Sequence, residues 1–285
     1  MIKTFCCLLL LCVCLCGLSQ QYPPGKVYRI TSSHSMFPDS LRNAQPRVYD
    51  GKTYAAAEHY SDSSVFIFVP DYFDKKKPAS FLFWFHGWTN NIDSALARFQ
   101  VLDQFYTAHQ NAIFIFPEGP KNAPDSYGGK LEKPGVFTLL LQDVLDFLSS
   151  KKQVAKKYQP AAIMLAGHSG AYRVMGKITG ANPSLNIAEI YLFDALYGEI
   201  ENYLAFAKRP VRFINIYTDN GGTKQNSIDF SRTMDSLHIP YLHKEEDDLT
   251  KEDLKNNPII FLHSKKGHSD VIDNNRNFER FLRKE

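Results

Sequence analysis

The segment Met164-Leu165-Ala166-Gly167-His168-Ser169-Gly170-Ala171 changes character twice within eight residues. An apolar run over Ala161–Ala166 reads as a strand, and Ala171–Ile178 reads as a short helix. Ser169 sits on the turn between them, in the pattern small-x-Ser-x-small. So sharp a turn strains the serine backbone and leaves no room for large side chains at Gly167 or Ala171. It also sets the serine beside a helix N-terminus, whose unpaired N–H groups can bind a developing oxyanion. The plainer alternative is a Gly/Ser turn with no chemistry.

Elements of both kinds alternate on either side of this turn. Val65–Val69, Phe81–Phe85, Ala112–Phe116, Ile187–Phe193, Val211–Tyr217 and Pro258–Leu262 are short continuous apolar runs, the pattern of strands buried on both faces. Between them, helical spacing is predicted over Ile92–His109, Val136–Leu148, Glu199–Ala207, Gln225–Leu237 and Ser269–Leu282. The chain before Tyr60 is read as β-rich, with Asp50-Gly51 closing a hairpin. Regular strand–helix alternation predicts an α/β fold: a mostly parallel central sheet with helices on both faces. The charge runs Lys75-Lys76-Lys77 and Glu245-Glu246-Asp247-Asp248 read as solvated loops.

With the turn placed in this alternation, the chain resembles the α/β-hydrolase superfamily from about residue 45 to the end. Four features carry the resemblance in order: His86-Gly87-Trp88 after an early strand, Gly167-His168-Ser169-Gly170-Ala171 as nucleophile elbow, an acid after a later strand, and His268 in Lys265-Lys266-Gly267-His268-Ser269-Asp270. The last small residue of the elbow is alanine where glycine is commoner. The resemblance implies a secreted, esterase-like serine hydrolase in which Ser169 attacks and His268 takes its proton. A serine needs such a base, and the base needs a carboxylate to hold its tautomer. Asp219 is the expected acid, from its place one strand before the histidine; Asp194, one strand earlier, is the alternative. Backbone N–H groups of Trp88 and Gly170 would form the oxyanion hole.

Only a short segment separates Asp194 from Val211, so no large lid domain is expected. The Gly- and Pro-rich stretch from Glu118 to Gly135 is a candidate cleft wall. Glu118, Tyr127, Tyr172 and Tyr197 are candidate cleft residues, with the packing of loops as their ordinary alternative. No metal-ligand spacing, phosphate loop or dinucleotide glycine pattern stands out, so neither metal nor cofactor is expected. The expected partner is a small-molecule or polymer-borne ester.

Lys plus Arg number 33 against 30 Asp plus Glu, too balanced for a nucleic-acid binder that relies on a strong positive field. All five cysteines fall within the first sixteen residues. There a basic start, a short apolar run and Gly17-Leu18-Ser19 read as a signal peptide over residues 1–19. The expectation is therefore an exported protein, secreted or periplasmic, whose mature part has no disulfide and no stable membrane span and forms one domain over residues 20–285. An uncleaved anchor and lipidation at Cys16 are the alternatives for that segment. The leading function is carboxylic ester hydrolysis. An amidase or peptidase using the same residues, and a non-catalytic binding protein on this scaffold, are the competing ones. Oligomeric state is left open.

Overall fold

The computed structural model describes residues 22–283, so the signal-peptide reading lies outside the described residues. Eleven strands form among the described residues: β1 (Gly25–Thr31), β2 (Arg47–Tyr49), β3 (Lys52–Tyr54), β4 (Ser64–Pro70), β5 (Ser80–Phe85), β6 (Ala112–Pro117), β7 (Ala162–His168), β8 (Ile187–Phe193), β9 (Arg212–Thr218), β10 (Leu242–Glu245) and β11 (Ile259–Ser264). Nine of them build one sheet in the order β1-β4-β6-β5-β7-β8-β9-β11-β10. Only β4 runs against its neighbours, pairing antiparallel with β1 and β6. The remaining pairs are parallel. β2 and β3 form the expected hairpin, with Asp50 and Gly51 both at positive φ (49° and 70°).

The two faces of the sheet are legible in β5. Phe81, Phe83 and Phe85 point into one apolar layer, with Val136–Ser150 and Tyr172–Ala181 among the helices that cover it. Leu82 and Trp84 point into the other, which is covered by Ile92–Phe99, Val101–Thr107 and Asn277–Leu282. This period-two alternation of entirely apolar residues is what a strand sandwiched by helices requires. Each such side chain, fully buried, stabilises the fold by about 1.5–3 kcal/mol relative to exposure.

Two predicted helices differ from expectation. The run over Ile92–His109 is broken at Gln100, which adopts φ 48° and ends one helix before the next begins. The terminal segment is helical only over Asn277–Leu282; before it lie turns and a 3₁₀ segment with Asn275 at φ 63°. Between β8 and β9 the only helix is Ile200–Ala207, of eight residues, so no lid domain is inserted there. No helix among the described residues is long and apolar enough to cross a membrane.

Candidate active site

β7 is the fifth of nine strands, and its carboxyl end is the centre of the site. Ser169 follows it directly at φ 55°, a left-handed conformation costly for a residue with a Cβ. A Cβ on Gly167 would stand 2.6 Å from both the Ala171 Cβ and the Met175 Sδ. Small residues two positions either side are therefore what allow the chain to turn here. The hydroxyl is half-buried and opens onto a cleft of about 680 Å³ that His268 also lines.

His268 comes from the loop after β11. Its Nδ1 lies 2.7 Å from Asp194 Oδ2. A carboxylate can only accept, so Nδ1 carries the proton and Nε2 is left as a base. Asp194 sits just beyond β8 at φ 45° and is fully buried. It accepts hydrogen bonds from the Thr218 hydroxyl (2.6 Å), the Thr223 hydroxyl and the Thr218 N–H (3.3 Å). Burial works to raise its pKa; the bonds from His268, Thr218 and Thr223 outweigh that and hold it below the ordinary carboxylate value. The turn over Asp219–Gly222 closes against it, since any Cβ on Gly221 would overlap Asp194 Oδ2.

Asp219, the acid expected from chain position, is elsewhere. Its carboxylate contacts His263 Nε2 at 3.0 Å and Lys224 Nζ at 2.6 Å on the exposed rim. Strand geometry gives the reason. Thr218, the last residue of β9, points inward to Asp194, and successive strand residues face opposite sides. The acid against His268 is the alternative, Asp194.

Trp88, Tyr172 and Tyr197 line the cleft, together with Asn90, Ser94, Arg98, Phe99 and Ser126, which the sequence did not single out. Trp88 is braced by Nε1–H donation to Ser126 Oγ (2.7 Å) and by the edge of Tyr49. The Tyr197 phenol donates to the Gly221 carbonyl. Burial, aided by the charge of Asp194, pushes its pKa up to about 12, against a hydrogen bond with the Ser169 hydroxyl that acts the other way. Tyr127 and Glu118 do not line this cleft. Tyr127 is buried, with its hydroxyl on Asp39 (2.8 Å), and Glu118 is buried against His86. From the stretch Glu118–Gly135, Ser126 alone lines the cleft, so that loop underpins the wall rather than forming it. Gly87 and Gly170 pack closely here. A Cβ on Gly87 would come 2.7 Å from the Ser169 Cβ, and one on Gly170 would come 2.6 Å from Trp88 Cδ1. Gly87, which precedes Trp88, thus packs on the serine itself, and Gly170, which follows the serine, packs on the Trp88 ring.

His168 packs its ring on that of His268 at 4.6 Å and donates from Nε2 to the His268 carbonyl (3.0 Å). Burial, with His268 adding to it, lowers its pKa to about 3. It is thus neutral beside the His268 ring. An unfolded histidine titrates near 6.5. The native state refuses that proton, so this contribution to stability is whole above about pH 6.5 and is lost as pH falls toward 3. His168→Gln is expected to make stability less steep across that window in urea unfolding at a series of pH values. An unchanged slope would refute this account.

Among the described residues no group of three or more His, Cys, Asp or Glu side chains is placed to hold a metal ion. No family model matches the sequence, and no curated protein matches it significantly. Solved structures do. A ferulic acid esterase superposes with TM-score 0.54 at 16% identity, over 92% of this chain and 99% of that one. A fluorophosphonate-binding serine hydrolase of Staphylococcus aureus gives 0.51 at 12%, over 91% and 97%. The feruloyl esterase module from Clostridium thermocellum, complexed with sinapinate, gives 0.53 at 12%, over 92% and 93%. The strand order, the strained serine at the centre of the sheet and these superpositions together establish that this chain has the α/β-hydrolase fold.

Proposed function

We propose that the protein is a secreted serine hydrolase that cleaves carboxylic esters through an acyl-enzyme on Ser169. The observation that carries this reading is His268, backed by the buried Asp194, opening together with Ser169 onto one cleft. The Ser169 hydroxyl moves from the Tyr197 phenol to His268 Nε2 and attacks the acyl carbon as its proton passes to that nitrogen. The N–H groups of Trp88 and Gly170 take the charge on the carbonyl oxygen. The alcohol leaves with the proton from His268; water, activated by the same ring, then frees the acid and restores the serine. Secretion rests on the N-terminal sequence.

Trp88, Phe99, Tyr172 and Tyr197 give the cleft aromatic walls, and no inserted domain covers it. With feruloyl esterases among the structural neighbours, we assign the acyl group as an aromatic acid, carried on an alcohol large enough to need an open cleft. A fluorophosphonate probe is expected to label the folded protein and not the heat-denatured one. A panel of acyl-chain and aryl esters is expected to be turned over with preference for the aryl esters. Folded protein that takes no label and cleaves no ester would favour a non-catalytic binding role. Faster cleavage of the matched amides would favour an amidase.

A further inference from the structure

We infer that Glu118 and His86 form a positioning pair that aims the Trp88 N–H at the substrate's carbonyl oxygen. The inference rests on the ester-hydrolase reading above and deepens it.

The pair lies behind the cleft, with side chains 2% and 1% exposed. His86 ends in the loop after β5, and Glu118 follows β6, the adjacent strand. His86 Nδ1 is 2.7 Å from the Gly87 carbonyl oxygen. A carbonyl only accepts, so Nδ1 is the donor there. His86 Nε2 stands 3.0 Å from Glu118 Oε1. The second Glu118 oxygen accepts from the Ile92 N–H (3.2 Å), the start of the helix that brings Ser94, Arg98 and Phe99 to the cleft. The Gly119 N–H lies 3.1 Å from His86 Nε2 and 3.2 Å from Glu118 Oε1, and a Cβ on Gly119 would come 2.7 Å from that nitrogen.

The consequence follows from peptide geometry. In a trans peptide the C=O and the next N–H point in opposite directions. Holding the Gly87 carbonyl toward His86 therefore turns the Trp88 N–H the other way. Gly87 is packed against the Ser169 Cβ, so the peptide that carries that N–H lies beside the serine. Glu118 acts through His86: it fixes the ring whose other nitrogen holds the carbonyl. A buried polar pair is costly to desolvate, and an apolar pair of similar volume would serve stability as well. Its use at this point fits a requirement for direction.

The test compares Glu118→Gln and Glu118→Leu with the wild-type protein, using an aryl ester and a trifluoromethyl ketone, which binds as a tetrahedral oxyanion. One oxyanion donor is worth on the order of 10²–10³ in rate, so misdirecting it can cost up to that. The expected result is a kcat lower by about tenfold for the glutamine variant and about a hundredfold for the leucine variant, with KM changed less than about twofold. Ketone affinity should fall by the same factor as kcat/KM. A merely structural role would lower the melting temperature or the active fraction without that matched loss. The inference is overturned if folded variants keep kcat within about threefold of wild type, or if kcat falls while ketone affinity does not. If the leucine variant does not fold, the near-isosteric glutamine variant decides alone. Wild-type protein that neither turns over esters nor takes the fluorophosphonate label would bring down the ester-hydrolase reading and this inference with it. An active wild type with unaffected variants would bring down the inference only.

Discussion

Ser169→Ala is expected to lower kcat/KM for an aryl ester by about 10⁵–10⁶-fold and to abolish fluorophosphonate labelling, with the fold retained. The effect is this large because no other group stands where the hydroxyl does. The turn after β7 holds Ser169 at φ 55°, and the small residues around it are matched to that turn. Alanine fits the same backbone and removes only one oxygen, so the melting temperature is expected to stay within a few degrees of wild type. Residual turnover within about tenfold of wild type would show that the chemistry lies elsewhere. The comparison should be made on the aryl ester that the wild-type protein cleaves fastest.

Asp194→Asn is expected to lower kcat by about 10⁴-fold, and Asp219→Asn by less than about threefold. Asp194 Oδ2 holds the Nδ1–H of His268. An asparagine can present its NH₂ there and force the ring into the wrong tautomer, with the proton on the nitrogen that must act as base. The Thr218 and Thr223 hydroxyls that now donate to the carboxylate would have to turn to suit the amide. Asp219 serves His263 and Lys224 on the rim, and losing that exposed pairing leaves the cleft as it is. Kinetics on the two variants side by side check the assignment: a larger loss for Asp219→Asn would return the role to the acid favoured by chain position.

The elbow was legible from residues 164–171 because its requirements are local. A buried strand, a small-x-Ser-x-small turn and a helix start all fall within one contiguous segment, and the structure places each where the pattern puts it. The apolar runs of the core strands were legible for the same reason, since burial on both faces leaves no polar position in the run. Edge strands were not: β1 is largely exposed and β10 mixes Leu242 with His243, Lys244 and Glu245, so neither has a hydrophobic signature. The break at Gln100 escaped as well, because the apolar spacing on its two sides continues as if one helix ran through it.

The choice between Asp194 and Asp219 shows where local reading stops. Both directly follow apolar strands, and both lead into loops. What separates them is which way the side chain leaves the end of its strand, and whether the loop after β11 delivers an imidazole to it. Glu118 and Tyr127 went astray in the same manner: each stands in a loop at the carboxyl end of the sheet, and each is turned inward by a partner distant in sequence, His86 and Asp39. Residue order alone was enough for the α/β layering and for the strained turn at Ser169, because strand period, turn sterics and helix spacing act over a few neighbouring positions. The acid that faces His268 and the walls of the cleft were decided by folding, because each depends on the orientation of groups that meet only when separate strands align.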